Sequence, residues 1–124
     1  MMSLGPPCPF MPSPEAIRLR HMREAVAAAL ELANGRERLD LSRNLMLAMA
    51  LTRCLEILGE AASKIGPEIR QRFPMIPFAS IVSMRNRLVH AYFDIDLDIV
   101  WTTVTEDLPA LVPVLDLALN EIDA

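Results

Sequence analysis

Between Leu41 and Ile65 the chain carries an apolar band that only one kind of element can bury. Leu45, Met49, Thr52, Leu55, Ala62 and Ile65 recur at helical spacing, and Leu51, Leu58 and Ala61 widen the band. Residues spaced by three, four and seven share one side of an α-helix, whereas a strand would need alternation. A helix with such a stripe is stable only when other helices cover it. The pattern predicts a helix from about Leu41, after Asp40 or Ser42 as cap, to about Ile65. Gly66-Pro67 ends it, because proline lacks the N–H that would continue the ladder.

The flanking sequence supplies the partners. Ser13-Pro14-Glu15 has the order of a helix start: a capping hydroxyl, a proline in the first turn and an early carboxylate. Leu19, Met22, Val26, Ala29, Leu30 and Ala33 then follow helical spacing up to the stop signal Asn34-Gly35. A short helix is expected from Pro67 to Arg72, and Phe73-Pro74-Met75-Ile76-Pro77 reads as a rigid connector. A further helix should run from Pro77 to about His90 or Tyr92. Asp94 or Asp96 can cap the next, which includes Ile99, Val100, Val104 and Leu108. Asp107-Leu108-Pro109 reads as a restart with Asp107 as cap, and Leu111, Val112, Leu115, Leu119 and Ile122 follow. Pro113 would kink or break that stretch. No hairpin dipeptide or strand alternation competes. The expectation is an all-α fold, an antiparallel bundle of four to five helices. With 124 residues it forms one domain over 14–124, after a disordered Pro-rich leader over 1–13.

Composition removes several functions. Aromatics are 5%, too few for a stacking platform that reads single-stranded bases. Cys8 and Cys54 make no disulfide framework, and the absence of CxxC and HExxH patterns leaves no metal site to expect. Asp94, Asp96 and Asp98 are more simply helix caps and dipole partners than metal ligands. The apolar run Leu45 to Leu51 stops at Arg53, short of a membrane span, and the two cysteines without a disulfide framework fit a reduced, cytoplasmic compartment. The net charge of −4 conceals an asymmetry: residues 1–93 hold all 12 basic and 8 acidic residues, and residues 94–124 hold 8 acidic and no basic ones. That split permits a local basic surface on an acidic protein, or an ordinary solvated face.

The chemistry-bearing residues gather in one segment, Arg85-Asn86-Arg87-Leu88-Val89-His90-Ala91-Tyr92. On an ideal helix Phe78, Ile81, Val82, Leu88, Val89 and Tyr92 all fall within about 60° of Arg85. Arg85 would then lie amid the apolar stripe, where a guanidinium needs a counter-charge. Glu56 or Glu60 could supply it, and Arg85 would then simply cross-link two helices. His90 and Asn86 lie about 140° and 100° from Arg85. With Ser83 and Arg87 they form a polar face beside the stripe. A lone histidine at such a place is also read as a cap or surface residue. His21 reads as structural, and Trp101 and Phe93 as core or interface aromatics.

The stretch MRNRLVHAYFDIDLDIVW resembles the signature of HepT-like HEPN proteins, the toxin subunits of two-gene systems. Their pattern is Arg, four residues, His, one residue, Tyr; Arg85, His90 and Tyr92 match it, and Asn86 suits the polar second position. Arg18 to Met22, Leu55 to Ala62, Phe73 to Pro77 and Glu106 to Pro109 also look like the family. Ala91 stands where many members have glycine. The resemblance implies a metal-independent endoribonuclease toxin of a type VII-like toxin–antitoxin pair, without cofactor and working as a homodimer on RNA. It implies a minimal nucleotidyltransferase antitoxin that neutralises the toxin by adenylylating the motif tyrosine, here Tyr92. Arg85 and His90 would then be catalytic, and Asn86 and Arg87 would position the phosphate. The competing reading is a non-catalytic module that holds a nucleotide or substrate for the nucleotidyltransferase. A third is a structural protein whose Arg85 and His90 only pair across a dimer.

Overall fold

The structure, a computed structural model, describes residues 13–88 and 94–123. Among the described residues the chain is helical, with helices α1 (Pro14–Ala33), α2 (Arg38–Arg43), α3 (Leu45–Ser63), α4 (Pro67–Arg72), α5 (Phe78–Arg87), α6 (Leu97–Thr102) and α7 (Leu108–Asp123). A π-helical turn, Thr103–Asp107, joins α6 to α7. The all-α bundle expected from the sequence is thus the fold. The four longer helices α1, α3, α5 and α7 carry it, and the short ones serve as connectors. Of the expected leader, only Ser13 lies within the described residues.

Local chemistry explains the ends. Ser13 accepts from the Ala16 amide at 3.1 Å and caps α1, with Pro14 and Glu15 in its first turn. Gly35 takes φ 74° after the Asn34 cap, a conformation that side chains with a Cβ rarely adopt. The long helix expected from Leu41 is divided. Asn44 accepts from the Leu47 amide at 3.0 Å and starts α3, so α2 is a separate short helix. Asparagine competes with the backbone for hydrogen bonds and so favours a cap over a helix interior. Within α3 itself Leu45 and Met49 lie about 80° and 120° from Leu55, the middle of the buried face, and they are 68% and 55% exposed. The rest of the stripe, from Thr52 to Ile65, is buried.

The far end of α3 is closed by arginines from other elements. Arg70 donates to the carbonyls of Ala62 and Ile65 and Arg18 to that of Lys64, each at 3.0 Å. Carbonyls left open at a helix end gain from such cationic donors. The 73–77 connector plugs the same end. Phe73 and Ile76 are buried at 1% and 2% exposure, and Arg72 and Arg70 lie over the Phe73 and Phe78 rings at 5.1 and 5.5 Å. Phe73→Ala is expected to cost about 3–5 kcal/mol, since the closed end of the bundle cannot collapse into the void. For a domain of this size that lowers Tm by at least about 12 °C, read from a thermal melt followed by circular dichroism.

The expected restart at Asp107 does not occur. The Leu108 amide bonds to the Thr103 carbonyl, five residues back, and the helix passes through. In a regular α-helix the Pro109 ring would collide with the carbonyl of residue 105. The wider π-turn just before it opens the ladder at that place. Pro113 also lies inside α7 without ending it. Leu108, Leu111, Leu115 and Ala118 of α7 face the core against α1. Two ion pairs tie the acidic C-terminal part to the basic N-terminal part, Arg23–Asp116 at 2.7 Å and Arg38–Asp98 at 2.8 Å. No helix of the described residues is long and apolar enough to cross a membrane.

Candidate nucleic-acid site at the end of helix α5

Helix α5 lies against α3 and ends at Arg87, earlier than the expected His90 or Tyr92. The Leu88 amide already bonds three residues back, to Arg85, and the Leu88 carbonyl accepts from the Asp96 amide at 2.7 Å. That bond brings Leu88 and Asp96 together, and Ile95 packs against the core beside them. Asp96 caps α6 by accepting from the Ile99 amide at 3.1 Å, and Asp98 lies in the first turn. The alternating aspartates thus act in part as caps and dipole partners, as their spacing suggests. His90, Tyr92 and Phe93 lie outside the described residues.

The buried residues of α5 are Phe78, Ile81 and Met84, followed by Leu88. Met84 was not part of the expected stripe. Its inclusion rotates the buried face, so Arg85 stands at the edge and is only half-buried. This alters its expected chemistry. Neither Glu56 nor Glu60 forms an ion pair with it; Glu60 pairs with Lys64 at 3.6 Å. A guanidinium that reaches solvent does not need a buried counter-charge. Instead Arg85 Nε and Nη2 donate to Asn86 Oδ1 at 3.3 and 3.2 Å. Two of the five guanidinium N–H bonds are used there, which leaves three for another acceptor.

Ser83, Asn86 and Arg87 are exposed and form the expected polar face. Arg87 borders a shallow concavity of about 250 Å³ with Asp98, Thr102 and Asp107. Among the described residues no carboxylate pairs with Arg85 or Arg87, while several other arginines are engaged. Two cations in the last turn also complement the α5 dipole. The deeper cavity, about 410 Å³ between α5, the π-turn and α7, is lined mainly by apolar side chains such as Ile81, Leu108 and Leu111. Arg85 and Arg87 offer guanidinium donors on an open surface, with Asp98 and Asp107 beside Arg87, and such a surface encloses no small molecule. Of the candidate nucleophiles, Cys54 is half-buried on α3, and burial raises its thiol pKa above the ordinary value. At neutral pH it remains a thiol.

One residue escaped the sequence reading. Gly59 is buried in the middle of α3, and its φ is not positive. Backbone conformation therefore gives no reason for glycine, which costs about 0.5–1 kcal/mol against alanine inside a helix. The reason is close approach. A carbon in the Cβ position at residue 59 would lie 2.5 Å from Arg85 Cβ and 2.9 Å from Arg85 Cγ and Cδ. The Arg85 stem lies across the bare backbone of α3, and its head emerges beside Asn86. An isolated glycine in a strong helical pattern is the signal that could have located this contact.

The bundle, with two arginines in the last turn of α5, defines an all-helical protein. Comparison with known proteins identifies the family. Residues 22–117 match the model described as Ribonuclease HepT-like, and the chain belongs to that family. It is 41% identical over 68 residues to a proposed RNase of Methanocaldococcus jannaschii, covering 55% of this chain and 56% of that one. It is 44% identical over 62 residues to a probable ribonuclease HepT of Thermococcus cleftensis, covering 50% and 56%. A proposed RNase of Caldanaerobacter subterraneus is 31% identical over 93 residues, covering 75% and 83%. The matched part spans little more than half the length of the first two relatives. No solved structure matches the chain.

Proposed function

We propose that the protein is a metal-independent endoribonuclease toxin whose chemistry is carried by Arg85 and His90, with Asn86 and Arg87 positioning the phosphate. The observation that carries this reading is the end of α5. There two arginines without a carboxylate partner among the described residues stand just ahead of His90, in a chain of the HepT-like ribonuclease family. RNA contains its own nucleophile, the 2′-OH, which attacks the adjacent phosphorus. The enzyme must take a proton from that hydroxyl, give one to the leaving 5′-oxygen and stabilise the anionic phosphorane. Histidine, with an unperturbed pKa of about 6.5, serves as base when neutral and as acid when protonated. Arg85 has guanidinium N–H bonds left to meet the charge that grows on the phosphorane oxygens. Asn86 holds that guanidinium through Oδ1 and keeps its amide N–H groups for a phosphate oxygen.

One protomer offers one His90, and the reaction has two proton transfers. A homodimer with two-fold symmetry places two such histidines at one cleft. Its axis should pass near α5 and its neighbours. Light scattering at micromolar concentration is expected to give twice the chain mass, and a monomer would count strongly against this arrangement.

The cognate partner in this reading is a minimal nucleotidyltransferase antitoxin that adenylylates Tyr92. The direct test of activity is cleavage of RNA by the purified protein in the presence of EDTA, with His90→Ala as control. Cleavage that requires an added divalent metal would contradict the mechanism. Absence of cleavage by the wild type would favour the alternative, a non-catalytic module that holds nucleotide or substrate for the nucleotidyltransferase.

A further inference from the structure

We propose that Gly59 is a positioning residue for Arg85: it forms a slot in α3 that fixes where the guanidinium stands. The inference rests on the proposed role of Arg85 in RNA cleavage.

The argument begins with the contact itself. Carbon atoms pack at about 3.5–4.0 Å, and a Cβ at residue 59 would stand 2.5 Å from Arg85 Cβ. Arg85 Cβ is fixed to the α5 backbone, so no rotamer change relieves that contact. The 2.9 Å contacts to Cγ and Cδ involve the stem that carries the charge. Relief of the Cβ contact requires α5 to move away from α3 by about 1 Å, and the Cγ and Cδ contacts can in addition lift the Arg85 stem out of the slot. In each case the guanidinium moves.

The surroundings make the slot a device for aim rather than for burial. Arg85 is only half-buried, and its head is held by Asn86 from the same helix rather than by a carboxylate on α3. Asn86 is itself exposed on the last turn of α5. Among the described residues, the surface of α3 at Gly59 meets the stem from outside its own helix. Effective stabilisation of a developing oxyanion depends on donors held within a fraction of an ångström of their place. A shift of 1 Å is enough to lose most of it.

The test uses the full-length protein and a defined RNA oligonucleotide. Gly59→Ala is expected to remain helical by circular dichroism and to lower kcat at least ten-fold. KM should stay within about two-fold, because the exposed Arg87 still attracts the backbone. The Arg85 Nε–Hε NMR resonance, identified by its loss in Arg85→Lys, should shift in Gly59→Ala. Wild-type kcat and an unmoved resonance in a folded Gly59→Ala protein would overturn the proposal. Full cleavage by Arg85→Ala is a different outcome. It removes Arg85 from the catalytic set, and with it the reason for aiming it.

If Gly59→Ala does not fold, a second pair decides. Arg85→Gly vacates the slot, and Gly59→Ala/Arg85→Gly fills it from the α3 side without the clash against Arg85 Cβ. Ethylguanidinium is expected to restore cleavage to Arg85→Gly and not to the double variant. Equal rescue of both would overturn the slot.

Discussion

His90→Ala is expected to lower RNA cleavage by about 10²–10⁴-fold, the usual contribution of a general acid or base. The melting temperature should stay within a few degrees of wild type. Arg85→Ala is expected to remove activity to a similar extent, because charge stabilisation at a phosphorane depends on a fixed donor. Its effect on stability is smaller than a buried ion pair would give. Arg85 is half-buried and pairs with Asn86, so its loss strands no carboxylate. The cost is the stem that covers Gly59. Cleavage time courses with wild type, His90→Ala and Arg85→Ala, beside thermal melts, check both halves. Full cleavage by either variant removes that residue from the catalytic set. A melt lowered by more than about 10 °C in Arg85→Ala would mean that its structural share was misjudged.

The second large effect concerns Tyr92. Incubation with the proposed nucleotidyltransferase partner, ATP and Mg²⁺ is expected to add AMP to its hydroxyl and to abolish cleavage. A nucleotide there brings bulk and a negative phosphodiester close in sequence to Arg85 and Arg87. It would compete with the RNA phosphate by charge and by shape together. Tyr92→Phe keeps the ring and lacks the acceptor oxygen, so it should fold, cleave RNA and escape neutralisation on co-expression. Intact mass, peptide mapping and growth curves read this directly. Modification at another residue, or complete neutralisation of an active Tyr92→Phe protein, would sink the idea.

The sequence was legible where backbone chemistry is local. Ser13-Pro14-Glu15, Asn34-Gly35 and Gly66-Pro67 each mark a helix boundary that the structure keeps. It was less legible where two local preferences compete. Asn44 could sit inside a helix on apolar period alone, yet its side chain cap divides the long helix, and Leu45 and Met49 fall outside the buried face of α3. Asp107-Leu108-Pro109 has the residues of a helix start, but a π-turn removes the collision that would have forced one. At the site, the ideal wheel put Arg85 in the middle of the stripe. Packing of Met84 against the core moved it to the edge, and with that the need for Glu56 or Glu60 disappeared. Gly59 could be noticed in the sequence, but its partner could not. That partner is set by how α5 crosses α3, which is a tertiary fact.

The π-turn has a consequence for how the last third of the chain is phased. Leu97 to Asp123 is one continuous helical rod with a single residue of slack inserted at Thr103–Asp107. Each residue advances an α-helix by about 100°. The inserted residue thus sets α7 a little over a quarter-turn away from the phase α6 would have imposed. The first part of the rod can face α2 and α3 while the second faces α1. In an unbroken α-helix Leu111, Leu115 and Ala118 would lie within about 60° of Val100; with the slack they are turned away from it, toward α1, and all four are buried. The turn works as a coupling between two misaligned shafts, and it lets one rod close two sides of the bundle.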